Sequence, residues 1–223
     1  EGMEKAETEQ LLREIIGGDE SSLDKMQQFQ ELMMRYNAAI REVRTKFEVL
    51  NDEFSFRNSR NPIESITSRI KKPVSIAEKL RRMGCPLTLE SVSESLNDIA
   101  GIRVICSFID DIYMVAELLA RQDDITVVRV KDYIQKPKPN GYRSYHMIVE
   151  VPVFFSDGKR PMGVEVQLRT IAIDCWASLE HQIKYKRRVP HEHLVREELK
   201  RCADEIASVD LSMETIRELL HGA

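Results

Sequence analysis

This sequence lacks the features that mark membrane, secreted and nucleic-acid-wrapping proteins. No apolar run approaches the roughly 20 residues that a membrane-spanning helix needs, and no secretory leader pattern opens it. Its four cysteines show neither a CxxC pair nor a metal-site spacing, so nothing indicates disulfides and a reducing cytoplasm is the expected compartment. A net charge of −4 argues against nucleic acid as the main partner.

Glycine and proline are also scarce, with 9 and 8 among 223 residues, and the chain contains no internal repeat or low-complexity tract. A chain of this length with 42% hydrophobic and 31% charged residues is typical of one ordinary globular domain with helical additions. Residues 1–22 are acidic and polar and contain a Gly-Gly pair, which predicts a flexible N-terminal segment.

A long amphipathic helix is predicted at each end of the ordered chain. Apolar residues recur every three to four positions within residues 23–60 and again within residues 191–223, which is the spacing of one helical stripe. Such stripes can pack on a sheet or on partner subunits. A homo-oligomer is therefore one expectation.

The middle of the chain, residues 61–190, alternates between helix and strand patterns. Asn61, Pro62 and Glu64 match a helix start with a cap, a first-turn proline and a capping box, so a helix is predicted to run towards Arg69. Further helices are predicted at 75–83, 88–96, 110–121 and 172–183, and strands at 101–108, 125–134, 143–155 and 162–170. The expected fold class is α/β (α+β), with a mixed sheet layered by helices.

The most informative segment is the predicted strand that covers Gly163–Thr170. Because alternate residues of a strand point to opposite faces, its two valines and its leucine share one face, and Glu165, Gln167 and Arg169 share the other. On a central strand, such polar groups must be paired, metal-bound or directed at a polar ligand. An edge strand with a solvated outer face is the alternative.

Two further segments and a basic cluster favour a ligand site. Asn97–Cys106 has an acidic residue before a β-rich run with an early glycine, and Asn140–His146 is a turn that opens into a strand. A local basic cluster in an acidic protein suits a small polyanion such as ATP, although a solvated helix face has the same composition. The cluster comprises Arg69, Lys71, Lys72, Lys79, Arg81 and Arg82.

In order and spacing, these segments resemble the synthetase domain of the RelA/SpoT family, which makes the alarmones ppGpp and pppGpp. The resemblance runs from about Asn61 to Lys186. It implies a nucleotidyltransferase-like mixed sheet of about five strands. It also implies Mg²⁺-dependent transfer of the β,γ-pyrophosphoryl group of ATP to the ribose 3′-hydroxyl of GTP or GDP. Long members add a hydrolase domain with an HD motif; no HD pair occurs here, so the chain looks like a small alarmone synthetase, a group that commonly forms tetramers.

The resemblance also implies residue roles. Asp98 would bind the metal, and Glu165 would be the general base or a second metal ligand. Residues expected at ATP are Arg69, Lys71, Ser75, Lys79, Arg82 and Arg103, with the first and last on either face of the adenine. Residues expected at GTP or GDP are Lys138, Tyr142, His146, Gln167, Asp174, Ala177 and His181, with the tyrosine stacked on guanine.

Other readings remain open from the sequence. A related transferase could use another acceptor, such as ATP or the 3′ end of tRNA, and a non-catalytic nucleotide- or RNA-binding regulator could share the fold. The preference among GDP, GTP and GMP is also open. Some small synthetases bind the alarmone through their first helix; Arg44 fits that pattern, but Glu48 and Ser65 depart from it, which weakens the case for such a site.

Overall fold

The computed structural model describes residues 22–57, 60–185 and 191–221. Residues 1–21 of the predicted flexible segment lie outside the described residues. In chain order the elements are α1 (Ser22–Arg57), β1 (Ile63–Ile70), α2 (Pro73–Met83), α3 (Leu89–Ser95), β2 (Ala100–Cys106), α4 (Ile109–Ala120), β3 (Thr126–Asp132), β4 (Tyr145–Phe155), β5 (Gly158–Thr170), α5 (Ile171–Tyr185) and α6 (Glu192–His221).

The five strands form one mixed sheet in the order β1-β2-β5-β4-β3. β2 and β5 are parallel, and the other neighbouring pairs are antiparallel. β5 is therefore the central strand. Its residues Val164, Val166 and Leu168 are fully buried, while the alternate positions are half-buried and polar up to Gln167. The structure confirms the predicted mixed sheet with flanking helices.

The predicted helix that follows Asn61 is wrong, because this segment is the edge strand β1. The Asn61 Oδ1 accepts the backbone N–H of Ile63, two residues further on (2.9 Å), and so forms an Asx turn. An Asx turn can precede a strand as well as a helix. Three isoleucines and a threonine follow, which favour a strand. Antiparallel pairing with β2 across Ile63–Ile70 then satisfies the backbone.

The long helix α1 packs across the sheet and contacts β1, β2, β4 and β5. Its buried side chains continue the apolar stripe that the sequence predicts and include Phe29, Tyr36, Ile40, Val43 and Phe47. No helix in the described ranges is long and apolar enough to cross a membrane. Burial of one face on the sheet, rather than propensity alone, is what stabilises such a helix.

The C-terminal helix α6 packs mainly on α5 and reaches the turn before β4. Trp176 Nε1 of α5 donates to the Leu199 carbonyl (2.8 Å). The Arg143 guanidinium donates to the Ala203 carbonyl and to Asp204 Oδ1, both at 3.1 Å. Gly141 has a φ of +87°, and a Cβ added there would lie 2.6 Å from the Ala203 Cβ. The turn that carries Tyr142 is therefore held directly against α6.

This close approach predicts that Gly141→Ala is more damaging than an ordinary left-handed glycine substitution. Gly84 is the matched control, since its φ is +70° but a Cβ added there meets nothing within 4 Å. Gly84→Ala should lower the free energy of unfolding by about 1–2 kcal/mol from backbone strain. Gly141→Ala should cause the same strain and lower the free energy of unfolding by about 1–3 kcal/mol more, because the methyl group overpacks against α6. Urea unfolding of both variants measures the difference. Equal losses of unfolding free energy would show that α6 shifts to accommodate the added methyl group without cost.

Candidate active site

A cleft with three lobes runs along the polar face of β5. The inner lobe, between β1, β2 and β5, has a volume of about 190 Å³ and is lined by Asp98 and Glu165 among others. The α5 lobe has a volume of about 590 Å³ and is lined by Tyr142 and His181. The β3 lobe has a volume of about 360 Å³ and extends to Lys131.

The lobes share walls, which makes them parts of one cleft. Asp98 and Glu165 line both the inner lobe and the β3 lobe. Lys138 lies between the β3 lobe and the α5 lobe. The inner lobe and the α5 lobe have in common Arg69, Arg103 and Gln167. The two carboxylates therefore stand between one region walled by arginines and another walled by lysines.

Asp98 lies between two lysines. Its Oδ2 accepts from Lys71 Nζ (2.9 Å) and pairs with Lys79 Nζ (2.7 Å). Burial would raise the pKa of Asp98, but the hydrogen bonds from the two lysines outweigh it and hold the pKa below its ordinary value. Its other oxygen, Oδ1, is buried and has no hydrogen-bond partner within the described part of the chain. Asp98 is thus an ionised carboxylate, and its Oδ1 is available to bind a cation or a hydrogen-bond donor.

Glu165 is fixed at both oxygens by neighbours on β4 and β5. Oε2 accepts from Gln167 Nε2 at 2.9 Å, and Oε1 lies 3.4 Å from His146 Nδ1. Burial would raise the pKa of Glu165, whereas the contacts with His146 and Gln167 lower it, and the net pKa is below the ordinary value. The nearby Asp98 charge acts in the opposite direction. Glu165 is therefore ionised at neutral pH.

The two carboxylates offer the hard oxygen donors that a divalent cation such as Mg²⁺ accepts. Within the described ranges, no group of three or more His, Cys, Asp or Glu side chains could hold a metal. Mg²⁺ is commonly bound by one or two carboxylates, with water and phosphate oxygens completing its octahedron. The unbonded Asp98 Oδ1 next to Glu165 matches that donor set.

Two arginines also line the inner lobe. Arg69 of β1 pairs with Gly101 of β2, and a Cβ on that glycine would lie in ordinary contact, 3.8 Å from the Arg69 Cγ. Arg103 lies 3.3 Å from Asp174 Oδ1, but its Nε is buried and bonds to nothing in the described residues. Burial and then the Arg169 charge lower the Arg103 pKa. A guanidinium in such surroundings is suited to a planar or anionic ligand.

Tyr142 lines the α5 lobe and contacts polar residues of both the α5 lobe and the β3 lobe. Its hydroxyl lies 2.9 Å from His146 Nε2 and accepts from Arg169 Nη2 at 2.9 Å. Lys138 Nζ lies 4.7 Å from the centroid of the Tyr142 ring and 4.6 Å from that of Tyr133. These are cation–π distances. The tyrosine thus has a fixed hydroxyl and a ring face covered by a flexible ammonium.

Comparison with known proteins identifies the family. The sequence pattern that describes the region found in RelA / SpoT proteins matches residues 68–189, more than half of the chain. The chain belongs to the RelA/SpoT family. It is 42% identical over 193 residues to the GTP pyrophosphokinase YwaC of Bacillus subtilis strain 168, covering 86% of this chain and 92% of that protein. It is 36% identical to the GTP pyrophosphokinase YjbM of the same organism, covering 85% and 89%.

Solved structures of small alarmone synthetases have the same fold. The B. subtilis synthetase 1 bound to its product pppGpp superposes with a TM-score of 0.79 at 36% identity, covering 85% of this chain and 96% of that one. The synthetase 2 of the same organism gives a TM-score of 0.76 at 43% identity, with coverage of 85% and 98%. A further structure of synthetase 1, bound to AMPCPP, gives 0.73 at 32% identity over 87% and 99%.

The RelA/SpoT synthetase fold brings most of the predicted site residues into the cleft. Those that line its lobes are Arg69, Lys79, Asp98, Arg103, Lys138, Tyr142, His146, Glu165, Gln167, Ala177 and His181. Lys71 and Asp174 do not line a lobe but bond to residues that do. Ser75 is half-buried in the first turn of α2, and Arg82 is exposed in its last turn, outside the lobe walls.

Sequence reasoning missed the cationic and aromatic residues that β3 and its following turn add to the β3 lobe, and it undervalued Arg169. Arg129, Lys131 and Tyr133 line this lobe. Their alternation along a strand was a usable signal, because residues two apart share a face. For Arg169 the sequence indicated only a place on the polar face of the central strand. Its side chain bonds to Asp174 Oδ1 (2.8 Å), and it also reaches Tyr142 and Gln167, which register alone could not foretell.

The lysine pair around Asp98 predicts a pH-dependent stability effect. Because the folded pKa of Asp98 is lowered, its contribution is present above the unfolded pKa of about 3.9 and is lost as pH falls through the folded value. Asp98→Asn should lower the free energy of unfolding at pH 7 by about 1–3 kcal/mol. The difference from wild type should shrink at pH 3. Denaturant titrations at both pH values test this, with exposed Asp123→Asn as the control; a pH-independent loss would contradict it.

Proposed function

We propose that this protein is a (p)ppGpp synthetase that transfers the β,γ-pyrophosphoryl group of ATP to the ribose 3′-hydroxyl of GTP or GDP. The products are AMP and pppGpp or ppGpp. One observation carries this proposal: two carboxylates, one with an unbonded oxygen, stand at the junction of an arginine-walled lobe and a lobe walled by tyrosine and lysine. The similar proteins named GTP pyrophosphokinase support the same activity.

On the donor side, we assign the inner lobe and its rim to ATP. Arg69 and Arg103 lie on neighbouring strands β1 and β2, where their guanidinium planes can hold an adenine between them. Lys71 and Lys79 carry the charge that a polyphosphate needs, and they now balance Asp98. A phosphate chain would compete for these ammoniums. Ser75 and Arg82 are assigned to the same phosphates at longer range.

On the acceptor side, we assign Tyr142 to the guanine ring and the β3 lobe to the 5′-phosphates. Lys138 now covers the ring of Tyr142, so a stacked base would displace the ammonium towards the phosphates. Arg129 and Lys131 line the β3 lobe and add positive charge there. We expect the remaining contacts to the guanine on the α5 side, from Asp174, Ala177 and His181.

Mg²⁺ would be held by Asp98 and Glu165, and it would supply positive charge that polarises the transferring phosphates. In the transfer, the acceptor 3′-oxygen bonds to the β-phosphorus of ATP as the bond from that phosphorus to the α,β-bridging oxygen breaks. AMP leaves with that oxygen, and the 3′-hydroxyl proton leaves to Glu165 or to water. Both roles of Glu165, base and metal ligand, require its ionised form, which its neighbours favour.

The wider setting is also proposed. We assign residues 61–190 to the synthetase domain, with terminal helices at 23–60 and 191–223. A homo-oligomer, in the form of a tetramer, is supported by large apolar side chains exposed on the two long helices, among them Phe56, Leu211 and Leu219. The free thiols support a reducing cytoplasm. The acidic net charge opposes a tRNA acceptor.

The decisive experiment resolves nucleotides by chromatography after incubation of the purified protein with Mg²⁺, ATP and one acceptor at a time. GDP, GTP, GMP, ATP and tRNA are the acceptors. AMP should appear together with a guanosine tetra- or pentaphosphate. If AMP formed only when ATP or tRNA was the acceptor, the protein would be a transferase for that acceptor. ATP binding without any AMP would indicate a non-catalytic regulator.

Glu165→Gln is the sharpest single substitution within this assay. The amide keeps the size of the side chain but can neither accept a proton nor ligate a metal well. The turnover number should fall by about 10²–10⁴-fold, and the Kd for ATP, measured by calorimetry, should stay within about twofold. An equal loss of ATP binding would contradict the role assigned to this carboxylate.

Asp98→Asn gives a crossing prediction for the metal. Without Mg²⁺, the carboxylate repels the ATP phosphates and holds Lys71 and Lys79, so its removal should strengthen ATP binding by about fivefold, or ~1 kcal/mol. With Mg²⁺ the order should reverse, because wild type alone keeps the metal ligand. Calorimetry in EDTA and in Mg²⁺ measures both; the same order in the two buffers would exclude Asp98 as a ligand.

A further inference from the structure

Five polar side chains form a closed ring of contacts, three from the polar face of the central strand β5, one from β4 and one from the turn before β4. Arg169 Nη2 donates to the Tyr142 hydroxyl (2.9 Å) and to Gln167 Oε1 (3.0 Å). Gln167 Nε2 donates to Glu165 Oε2 (2.9 Å). His146 closes the ring, with Nδ1 3.4 Å from Glu165 Oε1 and Nε2 2.9 Å from the Tyr142 hydroxyl. The expected guanine platform and the catalytic carboxylate are thus two members of one network.

The directions of the hydrogen bonds follow from what each group can donate. An ionised carboxylate only accepts, so the His146 nitrogen that faces Glu165, Nδ1, carries a proton. When Nδ1 carries the only ring proton, Nε2 is an acceptor, and the Tyr142 hydroxyl donates to it while accepting from Arg169. The amide of Gln167 is oriented in the same way, because a guanidinium only donates. Each member therefore fixes the orientation of the next.

Arg169 is the anchor of this ring. Only 6% of its side chain is exposed, and it is further held by Asp174 Oδ1 (2.8 Å) and by the hydroxyl of buried Ser144 at 3.4 Å. Its planar fork allows one group to contact both arms of the ring at once, which a lysine could not do. Through Gln167 it orients one oxygen of Glu165, and through Tyr142 and His146 it orients the other.

We infer that Arg169 is a positioning residue that couples the acceptor platform Tyr142 to the orientation of Glu165, so that the tyrosine hydroxyl serves turnover while its ring serves binding. This rests on the proposed function, because it assigns the two ends of the ring to the acceptor base and to the transfer step. A base stacked on the Tyr142 ring then fixes the ring, and the hydroxyl passes that constraint to the carboxylate through His146.

The test separates the hydroxyl from the ring by comparing Tyr142→Phe with Tyr142→Ala. Tyr142→Phe should keep the KM for the acceptor within about twofold and lower kcat by about 10–100-fold, the usual effect of losing a group that orients a catalytic residue. Tyr142→Ala should raise the acceptor KM as well. Tyr113→Phe is the matched control, since it removes a hydroxyl bonded to Asp132 (3.0 Å) on the far side of β3 and should change neither constant.

Arg169→Lys and the double variant with Tyr142→Phe test the anchor itself. Arg169→Lys keeps the charge but not the fork, so kcat should fall. Adding Tyr142→Phe to it should cost less than the product of the two separate losses, because both break the same ring. An unchanged kcat in Tyr142→Phe, equal KM increases in Tyr142→Phe and Tyr142→Ala, or fully multiplicative losses in the double variant would each overturn the inference.

A readout without activity separates this inference from the proposed function. ¹⁵N NMR of the His146 ring in the nucleotide-free wild type should report the tautomer protonated at Nδ1, and Tyr142→Phe should change the Nε2 shift. If no guanosine polyphosphate forms but these shifts behave as stated, the function fails and the ring stands. If the wild type is protonated at Nε2 alone, the ring is refuted whatever the enzyme makes.

Discussion

The structure depends on one constraint: a central strand carries charged and amide groups on a face where most sheets bury hydrocarbon. Taking such groups out of water costs several kcal/mol each unless they are paired. Here the cost is offset because Glu165, Gln167 and Arg169 bond to one another and to neighbours on β4 and α5. Pairing at one position therefore requires the others, and the polar face is a unit rather than three separate residues.

This constraint also explains the use of the C-terminal helix. The turn before β4 must hold Tyr142 rigidly, since its hydroxyl is a member of the polar network, and a surface turn alone would be mobile. α6 supplies the rigidity through the Arg143 hydrogen bonds and through the close approach of Ala203 to Gly141. A helix that looks peripheral in the sequence is thus part of the support of the cleft, and several of its large apolar side chains, among them Leu211 and Leu219, remain exposed.

The sequence alone was sufficient to predict the central strand, because its alternation of apolar and polar residues matches the alternation of buried and half-buried positions in the structure. Both patterns are set by neighbouring residues of the same strand. It failed at β1, where Asn61 and Pro62 carry a genuine capping signal, but pairing with β2 overrides it. Within the cleft, the sequence indicated which residues form the site, but it did not indicate which side chains contact one another. The lysines around Asp98 come from α2 and the β1–α2 connection, and the ring through His146 depends on strand register. These contacts are set by tertiary structure, which no spacing rule contains.

Two buried side-chain polar atoms in the described chain have no hydrogen-bond partner, Asp98 Oδ1 and Arg103 Nε, and both belong to residues that line the inner lobe. A buried polar atom left unpaired costs about 1–3 kcal/mol, and native proteins rarely keep two in one place without a reason. One atom is an acceptor suited to a cation, and the other is a donor suited to an anion or a base edge. A metal-bound nucleotide offers both partners at once. Stability given up in the free protein would thus return as binding free energy, which is why this cleft is better explained as a nucleotide site than as an imperfect core.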